Sequence, residues 1–321
     1  MPDPILYARA ILAALIASAV IVAALVWPRR SSTPAWINTA SGIAIGIGLI
    51  AGLWVGSVHV SVPPATALDR LLLLILPAVL LVEWAAALPR VATGFVWLLR
   101  ISLVLLVPRV LLHGSVYVNN PDEWTVWQSA ITIGVCWTLL SICWGGLLTL
   151  ARRSPGISIP VSLCLSLQAA AATVMMAGYL KGGEAAMPIV AALLGTAIVV
   201  WAVRGRRRGP VDERPLLLPP VLIGVGVIGL FGILFIGHFF GRVTDGRAVT
   251  IGVAPVLVWV AELRPLKQQR PWIVGAIRLA LVSIPLLVTL ALAKRDYDRD
   301  LAPLVVMTSV DVLTESALGS P

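Results

Sequence analysis

The chain has 321 residues, of which 59% are hydrophobic and only 12% are charged, and its mean hydropathy is +0.97. Soluble domains carry about 25% charged residues, so this composition excludes a soluble globular protein and predicts an all-α polytopic integral membrane protein. The formal net charge of +9 does not indicate a nucleic-acid partner, because the basic residues concentrate in alternate connections between apolar segments.

Ten apolar stretches follow one another along the chain, each near the length of about 20 residues that a helix needs to cross a bilayer. The predicted spans are Ile5 to Trp27, Ile37 to Val60, Ala67 to Leu88, Val91 to Leu112, Trp127 to Leu150, Ile157 to Leu180, Ala185 to Ala202, Leu216 to Phe240, Ala248 to Leu263 and Trp272 to Ala293. Because the connections are short, we expect no soluble domain between them.

Arginine and lysine concentrate in the connections that follow the odd-numbered spans. By the positive-inside rule these connections face the cytoplasm, so both chain termini are expected on the outer side of a membrane that we interpret as a bacterial inner membrane. A basic run after the seventh span is interpreted as an anchor for anionic lipid head groups. Its arginines are Arg204, Arg206, Arg207 and Arg208.

The first span recurs later in the chain, which indicates an internal duplication. ILAALIASAVIV, which begins at Ile11, aligns without a gap with IVAALLGTAIVV, which begins at Ile189. The same offset pairs Pro77 with Pro255, and these prolines are expected to interrupt the third and ninth spans. A drift of one residue then brings less common residues into register, and the pairs are His59 with His238, Glu83 with Glu262, Arg100 with Arg278 and Pro108 with Pro285. Chance similarity between hydrophobic helices is the alternative explanation.

The duplication predicts a tandem repeat of four helices, in the order four, two and four. Residues 1–112 are the first repeat, 113–184 an outer loop and an unmatched helical hairpin, 185–293 the second repeat, and 294–321 a polar tail on the outer side. Because an even number of helices separates the two copies, both are expected to run through the membrane in the same direction. Parallel repeats of this kind occur in secondary transporters, whose sites lie between the halves.

Two acid–base pairs are predicted inside the spans. Glu83 precedes the turn after the third span and Arg100 follows it at a depth that the arginine side chain can bridge, and Glu262 and Arg278 repeat this arrangement. A charge within a span costs about 2.5–3.5 kcal/mol, so such residues pair or line a wet cavity. These four residues are either a ligand-binding or transport site or buried ion pairs that fix how the helices pack.

Histidine and cysteine residues offer few further sites. His59 and His238 lie at the outer ends of matching spans and form a candidate pair of haem or metal ligands; interfacial histidines that bond to loop backbone or water are the alternative. No other cofactor is predicted. The three cysteines, Cys136, Cys143 and Cys164, lie inside spans and offer no disulfide framework and no CxxC metal pair.

Glycine recurs along the second and eighth spans. In the second span the spacings are small-xxx-small, which lets helix backbones approach each other closely. The glycines concerned are Gly42, Gly46, Gly48, Gly52 and Gly56. These two helices are therefore candidates for the pseudo-symmetric centre of the bundle, with ordinary packing against neighbouring helices as the alternative.

These features favour a transporter-like bundle that moves a small ligand. The alternative is a non-catalytic scaffold or anchoring subunit, whose partners would be other membrane subunits in addition to the lipid bilayer. An enzyme is the least favoured class, because the sequence contains no HExxH, no GxSxG and no phosphate-binding glycine loop. A water-filled cavity lined by the four charged residues would distinguish a transporter from a scaffold.

Overall fold

The computed structural model describes residues 4–27, 33–115, 125–154, 156–206, 218–263, 266 and 270–300, and the regular secondary structure in these ranges is helical. In chain order the helices are α1 (Pro4–Val26), α2 (Pro34–Val55), α3 (Ala67–Ala87), α4 (Thr93–Leu112), α5 (Val126–Arg153), α6 (Ser158–Met176), α7 (Leu180–Arg206), α8 (Pro220–Phe239), α9 (Asp245–Val253, continued by a 3-10 helix over Ala254–Glu262) and α10 (Pro271–Asp300).

Among the described residues, nine helices are long and apolar enough to cross a membrane, and α9, split into two segments, takes the place of the ninth predicted span. The prediction of an all-helical protein is therefore confirmed, and nine of the ten predicted spans are helices of membrane length. α10 continues to Asp300, so the first residues of the predicted tail are helical. Residues 301–321 and the side chains of the basic run between Arg204 and Arg208 lie outside the described part, so the lipid-anchor hypothesis stays a prediction.

Two helices are irregular beside prolines that occupy matching positions of the predicted repeat. In α3 the segment Leu71–Ile75 is a π-helix just before Pro77, and in α9 the 3-10 helix starts one residue before Pro255. Proline lacks the N–H that would bond four residues back and its ring crowds that carbonyl, so regular helical bonding is interrupted at both places.

The centre of the bundle is α8, whose residues from Val221 to Gly237 are almost all buried. α8 packs against α2 to α7 and against α9. In contrast, α2 is buried on one face and exposes Ile50 and Trp54 on the other. The two glycine-rich helices therefore have different surroundings, with α8 at the centre and α2 to one side.

α1 and α7 run in the same direction and pack along their whole lengths. At one end the Tyr7 hydroxyl donates to Glu184 Oε1 at 2.8 Å, and at the other end Val22 and Val26 share an apolar cluster with Val200. A parallel tandem repeat requires this common direction. The four-helix repeat itself stays a prediction.

Two glycines of α2 allow close packing against α1 and α7. A Cβ at Gly48 would lie 2.8 Å from Ser18 Cβ and 2.9 Å from the Ala14 carbonyl oxygen. A Cβ at Gly52 would lie 2.7 Å from Pro188 Cβ. Because some of the crowding atoms belong to backbone, they cannot move aside cheaply, so these positions need glycine.

We expect Gly48→Ala to lower the free energy of unfolding by about 1–3 kcal/mol, because the added methyl group overpacks the contact with α1. Gly46→Ala on the same helix is the matched control. Its Cβ would meet only Leu80 Cδ1, at 3.4 Å, so the higher helix propensity of alanine makes this variant neutral or slightly stabilising. Steric trapping in bicelles measures the free energy of unfolding of both variants. Equal free energies for Gly48→Ala and Gly46→Ala would contradict the prediction.

Candidate functional site

The first predicted acid–base pair forms between α3 and α4. Arg100 Nε donates to Glu83 Oε1 at 2.8 Å and Arg100 Nη2 donates to Glu83 Oε2 at 2.7 Å. Glu83 is fully buried and Arg100 is 5% exposed. Such a two-point contact fixes the orientation of both side chains as well as neutralising their charges. It therefore locks the hairpin of α3 and α4.

The neighbouring helices are shaped around this pair. A Cβ at Gly224 of α8 would lie 3.2 Å from Glu83 Cγ, so glycine makes room for the carboxylate side chain. Asn38 of α2 donates through Nδ2 to the Glu83 carbonyl oxygen at 2.7 Å, and its Oδ1 accepts from the Val221 amide at 3.0 Å. One buried amide thus joins α2, α3 and α8 beside the pair.

The second predicted pair forms between α9 and α10. Arg278 Nη2 donates to Glu262 Oε1 at 2.5 Å and to Ser154 Oγ at 2.7 Å, and Arg278 Nη1 donates to Ser158 Oγ at 3.2 Å. Arg278 Nε is buried and has no hydrogen-bond partner among the described residues. The two serines flank the turn between α5 and α6. The unmatched hairpin therefore supplies hydroxyl acceptors to Arg278, and Arg100 of the first pair has no such acceptors among the described residues.

Sequence reasoning thus placed all four charged residues in contact within their hairpins, but it missed Asn38, Ser154 and Ser158. Their partners lie far away along the chain, so no local spacing pointed to them. Of the four charged residues, only Arg100 lines either of the two cavities that are described below. The role of the pairs as a ligand site stays a prediction.

A cavity of about 340 Å³ lies between α5, α8 and α9, and we call it the apolar cavity. Most of its lining is aliphatic or aromatic. Lining residues include Leu140, Leu147, Val227, Phe231, Phe235, Val249 and Pro255, with Thr132, Cys136 and Cys143 as polar or sulfur-bearing members. On α8 it extends from Val227 to Phe239, which is about 18 Å along the helix. Ile131 and Val135 line it and are also exposed on the surface of the bundle, so it is accessible from the side.

A histidine and an aspartate lie at one end of the apolar cavity. His238 Nδ1 lies 2.9 Å from the Val243 carbonyl oxygen and His238 Nε2 lies 3.1 Å from Asp245 Oδ1. Both partners are hydrogen-bond acceptors. The side chain of Asp245 is 86% exposed, so this end of the cavity is polar and open.

The contacts of His238 limit its availability as a haem or metal ligand. Both ring nitrogens of His238 already face protein oxygens, and a metal ion would have to displace one of them. His59 is exposed. Within the described ranges, no group of three or more His, Cys, Asp or Glu side chains is arranged to hold a metal ion. The haem or metal role of these histidines stays a prediction.

A second cavity, of about 260 Å³, lies where α2, α4 and α8 begin, and we call it the arginine cavity. Its charged lining residues are Arg100 and Arg152, and its polar ones include Asn38 and Thr93. The ring of Trp97, whose centroid lies 5.4 Å from Arg100 Cζ, forms part of the wall. This cavity is at the end of the bundle that carries both acid–base pairs.

At the other end, polar contacts tie helix starts together. Asp69 accepts from the Ser61 hydroxyl at 2.5 Å and from the Thr66 amide at 3.0 Å, which caps α3. Burial, and after it the nearby Asp69 carboxylate, raise the pKa of the Tyr179 phenol in the turn between α6 and α7. Asp69 and Tyr179 therefore serve helix capping and packing, and they do not form a ligand site.

Comparison with known proteins adds no further constraint. No model of a known protein family matches the sequence, and no curated protein matches it. What the two cavities do must therefore be inferred from their chemistry.

Proposed function

We propose that the protein is a transporter-like membrane bundle that takes up a small amphiphilic ligand in the apolar cavity. The cavity, walled on one side by the broken helix α9, is the observation that carries this proposal. Its volume is at the lower end of the range of about 300–1,000 Å³ for small-molecule sites. Apolar walls suit an alkyl or ring portion, and His238 with Asp245 suit a hydrogen-bonding head group.

The broken helix favours movement of the cavity wall. The 3-10 segment of α9 has nine residues, whereas such segments rarely exceed three or four residues and often mark a hinge. Interrupted helices beside a ligand site are also a recurring feature of transporters. A rearrangement of Ala254–Glu262 would change the shape of the cavity, because Pro255 lines it.

The two ends of α9 are held with different strength. Glu262, at the 3-10 end, is joined to the buried Arg278 of α10. Asp245, at the α-helical end, is joined to His238 through a contact in which both side chains reach solvent. Exposed ion pairs contribute only about 0–1 kcal/mol. Arg247, in the same turn as Asp245, pairs with Asp296 of α10, whose side chain is 50% exposed, so both side-chain contacts at this end are open to solvent. We therefore expect α9 to open at the Asp245 end and to stay anchored at the Glu262 end.

A diazirine-bearing octanol provides the test, because it combines a hydroxyl with a short alkyl chain. Photolabelling of the protein in nanodiscs, followed by peptide mass spectrometry, is expected to place saturable label on residues that line the apolar cavity. We expect Cys136→Trp to reduce this label at least fivefold by filling the cavity. Gly134→Trp is the matched control on the same helix, because nothing lies within 4 Å of a Cβ at that position.

Hydrogen exchange of α9, with and without unlabelled octanol, tests the transport part of the proposal. Altered exchange over 245–262, which covers the opening end and the 3-10 segment, is expected when the cavity fills. Label that does not saturate, or that is unchanged in Cys136→Trp, would overturn the proposed ligand site. Saturable label with unchanged α9 exchange would overturn transport and leave a static binding role.

A scaffold or anchoring subunit is the second candidate. The complete burial of Glu83 and its two-point contact with Arg100 favour it, because a sealed pair specifies one packing arrangement and needs no substrate. The octanol experiment separates the two candidates, since a scaffold predicts neither saturable label nor a change in α9.

A further inference from the structure

The arginine cavity has an excess of positive charge. Arg100 and Arg152 line it, and its lining among the described residues includes no carboxylate. Glu83 neutralises Arg100 from the opposite side, but Arg152 is exposed and forms no ion pair within the described part of the chain. One positive charge at the cavity is therefore uncompensated.

Arg100 also presents an unused donor. Its contacts with Glu83 occupy Nε and Nη2 and leave Nη1 outside the pair. The side chain is 94% buried and lines the cavity. A guanidinium has five N–H donors in a fixed fork, so the donors on Nη1 need an acceptor, which none of the described residues provides. A bound anion would supply that acceptor.

Backbone donors at the same place strengthen the case. α4 and α8 both begin at the cavity, and their N-cap positions are Ala92 and Pro219, neither of which provides a side-chain cap. The first N–H groups of a helix have no partner inside the helix, and the helix dipole favours negative charge there. The Val221 amide is already taken by Asn38, which leaves the start of α4 as the open set of donors.

We propose that the arginine cavity binds a singly charged phosphate group, such as the head group of an anionic phospholipid. Apolar walls from Ala86, Val96 and Leu218 suit the carbon atoms next to the phosphate. The cavity volume of about 260 Å³ is more than a phosphate group needs. The same chemistry would hold a soluble phosphate compound, so the experiment has an arm for each source.

In the first arm, native mass spectrometry measures binding of dioleoylphosphatidylglycerol and dioleoylphosphatidylcholine to the full chain in detergent. We expect preferential binding of the phosphatidylglycerol, and Arg152→Gln is expected to weaken its first binding step about fivefold. Arg153→Gln is the matched control, because the Arg153 guanidinium lies 5.7 Å from the Trp259 ring instead of lining the cavity.

A variant that fills the cavity separates a bound phosphate from general surface attraction. Ala87→Leu keeps the charge and is expected to weaken phosphatidylglycerol binding by a similar factor. Gly275→Leu, at the same end of the bundle but outside the cavity lining, where nothing lies within 4 Å of a Cβ, is expected to leave it unchanged. Equal losses for Arg152→Gln and Arg153→Gln, or full binding by Ala87→Leu, would overturn the proposal.

In the second arm, inorganic phosphate replaces the lipid. Thermal unfolding of lipid-free protein is compared in phosphate and in chloride at matched ionic strength, because exposed charges respond to screening alone. Stabilisation by phosphate that is lost in Arg152→Gln, without a preference for phosphatidylglycerol, would assign the site to a soluble phosphate compound. The absence of both effects would overturn the site.

Discussion

Arg100→Ala is expected to lower the free energy of unfolding by about 3–5 kcal/mol, because it leaves the fully buried Glu83 carboxylate without its partner. The loss should exceed that of ordinary core substitutions, since the unpaired carboxylate must stay charged in an apolar site or take up a proton. Steric trapping measures the free energy of unfolding in bicelles, in which the wild-type protein is folded.

The double variant Glu83→Gln, Arg100→Met isolates the electrostatic origin of this loss. Replacing both members of a buried ion pair by uncharged side chains of similar volume is often neutral or stabilising. We therefore expect the double variant to be substantially more stable than Arg100→Ala. If Arg100→Ala lost less than about 1 kcal/mol, or if the double variant lost as much as the single one, the sealed-pair description would be wrong.

The second pair provides a comparison within the same molecule. Arg278→Ala is expected to cost less than Arg100→Ala, because the Glu262 side chain is 12% exposed and can be hydrated more easily than Glu83. Removing Arg278 also frees Ser154 and Ser158, whose hydroxyls can turn to other partners. The expected order of the two losses follows from burial and does not depend on whether either pair binds a ligand.

The acid–base pairs were predictable because helix geometry is regular. Depth in the membrane follows from residue count at 1.5 Å per residue, so the distances of Glu83 and Arg100 from their shared turn were enough to place them together. Charges inside apolar segments also stand out from their neighbours. Asn38 gave no such signal, because it acts through a contact with Val221, 183 residues away in the chain.

The apolar cavity was not predictable, although one of its causes was. Pro255 indicated an interruption of the ninth span, but neither the length of the 3-10 segment nor the gap that it leaves beside α5 and α8 follows from the sequence. Cys136 and Cys143 are seven residues apart and so share a helix face, but nothing in the sequence shows that this face borders a cavity. They line a cavity because of how α9 packs against that face, which depends on tertiary structure.

The predicted tandem repeat also shows that tertiary contacts do not follow from the sequence. The alignment predicts which residues correspond, and the common direction of α1 and α7 meets one requirement of a parallel repeat. Yet Glu83 is sealed by Gly224 of α8, whereas the Glu262 pair is completed by Ser154 and Ser158 of the intervening hairpin. Corresponding residues thus meet different neighbours, because the unmatched helices pack against all four helices of the second predicted copy but chiefly against α4 of the first.

Asn38→Leu is expected to lower the free energy of unfolding by about 1–3 kcal/mol, because it strands a buried backbone amide. The Val221 amide loses its acceptor, whereas the Glu83 carbonyl, which lies inside α3, loses the Asn38 donor but keeps the amide donor of its own helix. Pro219 provides no side-chain cap for α8, so Asn38 caps that helix from a neighbouring one. No nearby side chain replaces it in this variant.

Ser41→Ala is the matched control on the same helix. The Ser41 hydroxyl is equally buried but donates to the Ile37 carbonyl oxygen of its own helix, which keeps its backbone partner when the hydroxyl is removed. We expect a loss below about 1 kcal/mol for this variant. Hydrogen exchange adds a local readout, since the Val221 amide should exchange faster in Asn38→Leu and at the wild-type rate in Ser41→Ala. Unchanged Val221 protection in Asn38→Leu would show that the start of α8 does not depend on the α2 side chain.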